Sequence, residues 1–240
     1  MSRNTRFVEI TLIGILAMLI GASPAYAWQL GGTSSQANGA SGIRASQLIA
    51  GTVPSGYWFG AESAFTDNGG IWHLISVTYN YASAGTYAIT GEYEDSTGYH
   101  DTTLCTGTYY TYYDDQIQWV SSSTEWLYQD NTVSGCKQLA VIESSTSNKV
   151  SGNSIDLMES TDNTGSDFSS HKAYAYFNPT LYYYSSGWTH TTKETSWDSS
   201  APSTIGQYFA CSGSGHYVLA TYVDSSYAPP QGTGSYIVSC

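Results

Sequence analysis

The side chains of this chain that can do acid–base or metal chemistry are few and dispersed. Five histidines, His73, His100, His171, His190 and His216, stand apart, none at ligand spacing from another. There is no Gly-x-Ser-x-Gly elbow, His-Glu-x-x-His motif or phosphate-cradling glycine loop. The carboxylates say more. In Ile155-Asp-Leu-Met-Glu159, strand alternation gives Glu159 the same face as Ile155 and Leu157. By the same rule His73 shares a face with Ile71 and Ile75. A polar group on an apolar face costs stability unless it is paired, so each is either sheltered for a purpose or turned outward by a bulge. Glu92 alternates with Thr90 and Glu94, the pattern of a solvated face. Asp162-Asn-Thr-Gly165-Ser-Asp167 has the oxygen donors and glycine of a Ca²⁺ loop without the full EF-hand pattern. Asp162 and Asp167 are thus weak cation candidates, and an ordinary acidic turn explains them as well. No Cys-x-x-Cys or Cys/His cluster suggests a transition metal, and no other cofactor is expected.

The elements that must position these groups are strands. From Pro54 onward, runs rich in Tyr, Trp, Val, Ile and Thr are broken by Gly, Ser, Asn and Asp about every ten residues. No window holds a 3.6-residue apolar stripe. The fold class this predicts is all-β, a concanavalin-A-like or jelly-roll antiparallel sandwich. Strands are expected at Tyr57–Ala64, Ile71–Tyr79, Tyr87–Tyr93, Thr106–Tyr113, Gln116–Ser121 and Glu125–Tyr128, and then at Gln138–Glu143, Ser154–Ser160 and His171–Tyr183. Four more follow at Gly187–Glu194, Gln207–Cys211, Tyr217–Tyr222 and Ser235–Ser239. Residues 28–52 are Gly/Ser/Ala-rich and read as a flexible lead-in with at most one edge strand at Ala45–Ala50. Residues 53–240 read as one domain.

The first 27 residues set the compartment. Arg3 and Arg6, the apolar run Ile10–Ile20, Ser23-Pro24 and Ala25-Tyr-Ala27 have the layout of a secretory signal peptide cut after Ala27. The protein is therefore expected to be secreted, extracellular or on the cell surface, with no membrane insertion after cleavage. The four cysteines, Cys105, Cys136, Cys211 and Cys240, then read as two disulfides. Three connectivities are open. Cys105–Cys136 and Cys211–Cys240 are preferred because each closes a loop of about 30 residues. The formal charge is −12. After the leader the basic side chains are Arg44, Lys137, Lys149, Lys172 and Lys193, so no stripe exists to neutralise phosphates and nucleic acid is excluded as a partner.

Two family resemblances run through these residues. Ser154-Ile-Asp156-Leu-Met-Glu159 resembles the Glu-x-Asp-x-x-Glu strand of laminarinase-like glycoside hydrolases, but Ser154 occupies the nucleophile position and a retaining mechanism cannot run. A second series covers more chain: Tyr57-Trp-Phe-Gly60, Asn68-Gly-Gly-Ile-Trp-His73, Gly91-Glu-Tyr-Glu-Asp95, Ile155–Glu159, Asp167-Phe168 and Ala173–Phe177. Their order is similar to that of the eqolisin-type glutamic peptidases and their concanavalin-A-like relatives. The resemblance implies that Glu159 stands at the catalytic glutamate position and Glu92 in an acidic-aromatic motif. It puts His73 where that family carries its catalytic glutamine. That departure removes the amide that polarises the scissile carbonyl, although an imidazolium can also donate to an oxyanion.

Three functions are compatible with this. The leading expectation is a secreted non-catalytic module that holds an extracellular polysaccharide or protein polymer of the cell envelope. Its stacking residues would be Trp72, Trp119, Trp126 and Trp188 together with some of the tyrosines. The second is an acid endopeptidase of glutamic type, with Glu159 as base and His73 as oxyanion donor. The third is a filament subunit that donates residues 28–52 as a strand.

Overall fold

The computed structural model describes residues 28–50, 59–80, 86–108, 111–144, 148–160, 174–199, 205–212, 215–222 and 237–239. The expected leader, the Asp162 and Asp167 loop and Cys240 lie outside them. The strands are β1 (Trp28–Ser34), β2 (Gly42–Ala50), β3 (Phe59–Asp67), β4 (Trp72–Asn80), β5 (Thr86–Asp95), β6 (Gly98–Gly107), β7 (Tyr113–Val120) and β8 (Glu125–Asp130). They continue as β9 (Leu139–Ile142), β10 (Val150–Ser160), β11 (Tyr174–Tyr184), β12 (Gly187–His190), β13 (Lys193–Ser199), β14 (Ile205–Ser212), β15 (Gly215–Tyr222) and β16 (Ile237–Ser239). Among the described residues the one helical piece is a 3-10 turn at Ser35–Ala37.

Two antiparallel sheets stack face to face, as the alternating pattern predicts. Sheet A runs β16-β13-β1-β10-β3-β4-β5-β6 and sheet B runs β14-β15-β11-β2-β7-β8-β9, with β12 paired to β11. The core fills the space between them. Phe59, Phe65, Ile75, Val77 and Ile89 of sheet A meet Ile43, Ile117, Trp119, Trp126, Tyr128 and Phe177 of sheet B. Residues of opposite parity on sheet A face away from that core. They include a smaller apolar cluster of Ala64, Trp72, Leu74, Ile155 and Leu157.

The lead-in reading of residues 28–52 is corrected. β1 is hydrogen-bonded to both β10 and β13, and β2 to both β11 and β7. Small residues there reflect close approach of neighbouring backbone rather than looseness. A Cβ on Gly31 would lie 2.0 Å from the carbonyl oxygen of Asp156, and Ala37, Ala40 and Ala45 are fully buried. The expected strand Thr106–Tyr113 is also misplaced. β6, the edge strand of sheet A, ends at Gly107, and β7 begins only at Tyr113.

Polar bridges join the layers. Gln47 of β2 donates to Ser63 Oγ at 3.0 Å, Ser63 donates to Asp156 Oδ1 at 2.6 Å, and Thr180 of β11 donates to Asp156 Oδ2. The disulfide Cys105–Cys136 forms as expected and ties β6 in sheet A to the β8–β9 connection of sheet B. The pairing expected for Cys211 falls on Cys240, outside the described residues.

Candidate functional site

Two groups of chemically competent side chains sit on opposite faces of sheet A. The first is buried between the sheets beneath the β3–β4 turn. Asn68-Gly-Gly70 turns the chain, with Gly70 at φ +88° where a side chain would be strained. The turn brings Asp67 at the end of β3 beside His73 near the start of β4. β8 supplies Trp126 and Tyr128 from the facing sheet, and Glu143 after β9 and Asn148 before β10 complete the cluster.

Asp67 is well supplied with donors. Ile71 N–H donates to Oδ1 at 2.9 Å, Trp126 Nε1–H donates to Oδ2 at 3.0 Å, and His73 Nε2 lies 3.3 Å from Oδ2. Burial opposes its ionisation, but the hydrogen bonds of His73 and Glu143, then the Ile71 amide, outweigh it and hold the carboxyl at about 2. Glu143 is pushed the other way, up to about 8, by burial and then by the adjoining Asp67. Two neighbouring carboxyls pushed apart in this way share one proton at neutral pH. Burial lowers His73, with Asp67 opposing, so the imidazole is held toward its neutral form. Its Nδ1 is 2.5 Å from the Tyr128 hydroxyl, which also reaches the carbonyl oxygen of Glu92 at 3.3 Å.

The second group is on the outward face. Register sets Glu62 of β3 directly between Leu157 of β10 and Ser76 of β4. Glu62 is 4% exposed, and Ser76 is fully buried with its Oγ lacking a hydrogen-bond partner. Glu159 pairs with Gly60, two positions along from the Leu157–Glu62 pair. The Cα atoms of Glu62 and Glu159 are therefore diagonal on adjacent strands, about 7–8 Å apart. Further along the sheet the face opens. Tyr99 of β6, 41% exposed, donates to Glu92 Oε2. Burial of its hydroxyl, then the charges of Glu92, Glu62 and Asp101, raise the phenol far above its usual range, so it stays a neutral donor.

The residues singled out from sequence do not gather in one place. His73 is fully buried on the inner face, whereas Glu92 is on the outer. Glu159 and Glu92 lie on strands separated by β3 and β4 and are offset by four residues, about 20 Å between Cα atoms. Trp119 and Trp126 belong to the core, meeting edge to face at 5.5 Å, and Trp72 is buried in the outer apolar cluster. None of these three presents an open ring for stacking. Trp188 of β12 is half-buried, packed against Tyr183 at 5.2 Å and under the Arg44 guanidinium at 5.8 Å. Sequence reasoning missed Asp67, Glu143, Tyr128 and Glu62. Asp67 had a signal, since it and His73 bracket the Gly-Gly turn, but Glu143 arrives from the opposite sheet.

This architecture is an antiparallel two-sheet β-sandwich. No protein-family model and no curated protein sequence matches the chain. Among solved structures it resembles scytalido-glutamic peptidase bound to a peptide-based transition-state analogue, at 11% identity and a TM-score of 0.52, covering 83% of this chain and 99% of that one. It also matches the eqolisin-family peptidase SCP-B in complex with the tripeptide Ala-Ile-His, at 12% identity and TM-score 0.48, covering 83% and 99%. A Bacillus licheniformis β-glucanase matches at 12% identity and TM-score 0.33, covering 82% and 78%. At these identities the first likeness establishes the fold, and the resemblance to the glutamic peptidases is one of architecture. Among the described residues no helix is long and apolar enough to cross a membrane.

Proposed function

We propose that the protein is a secreted, non-catalytic module that holds an extracellular polysaccharide on the open part of the outer face of sheet A. The observation that carries this reading is the pairing of Tyr99, an exposed ring whose hydroxyl donates to Glu92, with the exposed Asp101 beside it on β6. An aromatic face and adjacent carboxylates are the groups that pack on a sugar ring and accept from its hydroxyls. The tryptophans first expected to stack are in the core or half-buried, so the platform moves to β5 and β6. Isothermal titration against a panel of neutral and acidic polysaccharides tests it. Binding that Tyr99→Ala weakens at least tenfold supports the reading, and absence of heat with every glycan removes it.

A second reading rests on the Glu62–Glu159 diagonal beside the unpartnered Ser76 hydroxyl. Register puts the two glutamates at neighbouring positions on adjacent strands, where one could serve as acid and the other as base. Glu62 replaces His73 as the proposed partner of Glu159. Denatured casein and β-glucans incubated at pH 3 to 5 with the protein, Glu62→Gln and Glu159→Gln decide it. Turnover lost in both variants supports hydrolysis, and no turnover, or turnover equal in all three, ends it.

A further inference from the structure

The cluster beneath the β3–β4 turn has a geometry that neither function uses. Asp67, His73 and Glu143 converge, each offering one ligand atom, all within 4.8 Å of one another. His73 Nε2 is 3.3 Å from Asp67 Oδ2 and 3.7 Å from Glu143 Oε1. Ligand atoms about 2.1 Å from a tetrahedral zinc stand about 3.4 Å apart, so these separations are those of a ligand shell. A second observation points to a ligand. The Glu143 side chain is 7% exposed and aimed at His73, yet its Oε1 has no hydrogen-bond partner of ordinary geometry. Asn148 is fully buried and donates to Glu143 Oε2, while its own Oδ1 is also unpartnered.

We propose that Asp67, His73 and Glu143 form a binding site for one divalent transition-metal ion of the zinc type. The donor set, one imidazole nitrogen and two carboxylates, suits a borderline cation. The outer partners are already placed. To bind metal through Nε2, His73 must carry its proton on Nδ1. Tyr128 permits this because its hydroxyl can accept from Nδ1 and give its own proton to the Glu92 carbonyl, as ligating histidines require of their second nitrogen. Trp126 Nε1–H steadies Asp67 in the same way. The site is one turn from solvent. Asn68, Gly69 and Gly70 over it are exposed, and a Cβ on Gly69 would lie 3.2 Å from Glu143 Oε2 and 3.3 Å from Asp67 Oδ1.

The test uses the mature chain stripped with a chelator and titrated at pH 7 with Zn²⁺ by calorimetry and with Co²⁺ by visible absorption. One equivalent should bind, with a rise in melting temperature, a change in tryptophan emission and Co²⁺ ligand-field bands. Glu143→Gln should weaken Zn²⁺ at least about 100-fold, beyond the loss expected for an outer-shell partner, with its melting temperature in chelator unchanged. X-ray absorption of the zinc-loaded wild type should show one imidazole and otherwise oxygen ligands, and it decides the matter if the variant does not fold. No binding, equal affinity in Glu143→Gln, or a shell without imidazole overturns the proposal.

Discussion

Asp115 gives the sharpest handle on how this fold responds to acid. It lies on β7 with the inward set Tyr113, Ile117 and Trp119, is fully buried, and neither carboxyl oxygen has a hydrogen-bond partner. Its cross-strand neighbour is Asp130 of β8, 8% exposed and itself raised by burial. Burial, then the charges of Asp130 and Asp114, raise the Asp115 carboxyl well above the usual range. A raised acid contributes its full stability below its unfolded pKa of about 3.9, where both states are protonated. Above that pH the unfolded chain ionises while the folded chain keeps its proton. Stability then falls by about 1.4 kcal/mol per pH unit until the folded group itself titrates. Two units within that window cost about 2.7 kcal/mol, a large share of the 5–15 kcal/mol typical of a domain. Asp115→Asn keeps the shape and removes the titration. Urea unfolding of both proteins from pH 3 to 7 at fixed ionic strength should show the variant equal or slightly weaker at pH 3. It should then gain on the wild type steadily as pH rises. Parallel stability curves would show that Asp115 is ionised or solvated in the native state and that the reasoning is wrong.

Other perturbations follow from the same packing. Gly31→Ala drives a Cβ into the Asp156 carbonyl of the neighbouring strand and should cost about 3 kcal/mol or more, read from the urea midpoint. Replacing Cys105 and Cys136 by serine frees a loop closed across 31 residues, and the chain-entropy relation sets the loss at about 3.7 kcal/mol. Ser76→Ala removes a buried hydroxyl that bonds to nothing and should leave thermal stability unchanged or raised. Trp126→Phe strips Asp67 of its indole donor and should cost about 1.5–3 kcal/mol for the charged hydrogen bond, plus packing.

The all-β architecture and most strands were legible because sheet A and sheet B each bury one face, which prints a two-residue alternation on the chain. Val77, Ile75 and His73 alternate inward along β4 as that pattern requires. The strands that escaped lack the pattern for physical reasons. β6 is an edge strand whose positions alternate half-buried and exposed, so Tyr99-His-Asp-Thr-Thr offers no apolar face until Leu104. β1 runs so close to β10 that it must be glycine at position 31, and small residues read as slack. The tryptophans misled for a different reason. Composition reports an aromatic surplus but not which face it occupies, and Trp126 serves the core as both filler and hydrogen-bond donor.

The sites escaped because they are assembled across strands. Asp67 and His73 are six residues apart, but Glu143 reaches them only when β9 closes sheet B over the β3–β4 turn. Glu62 meets Glu159 only through the β3–β10 register. Glu143 sits where burial makes ionisation costly, and Asp115 and Asp130 do the same on neighbouring strands of sheet B. A chain of net charge −12 that buries Asp115, Asp130 and Glu143 as raised acids has its repulsion relieved, and its interior neutral, under the same acidic conditions. A metal ion at Asp67, His73 and Glu143 would supply by coordination what protons supply at low pH. The chelated protein should therefore lose more stability than the zinc-loaded one as pH rises toward neutrality, with the gap narrowing again in acid, where protons displace the ion from its ligands. Melting temperatures of the two forms measured side by side at pH 4 and pH 7 read that gap, and one of equal size at both values would separate the metal from the charge balance of the core.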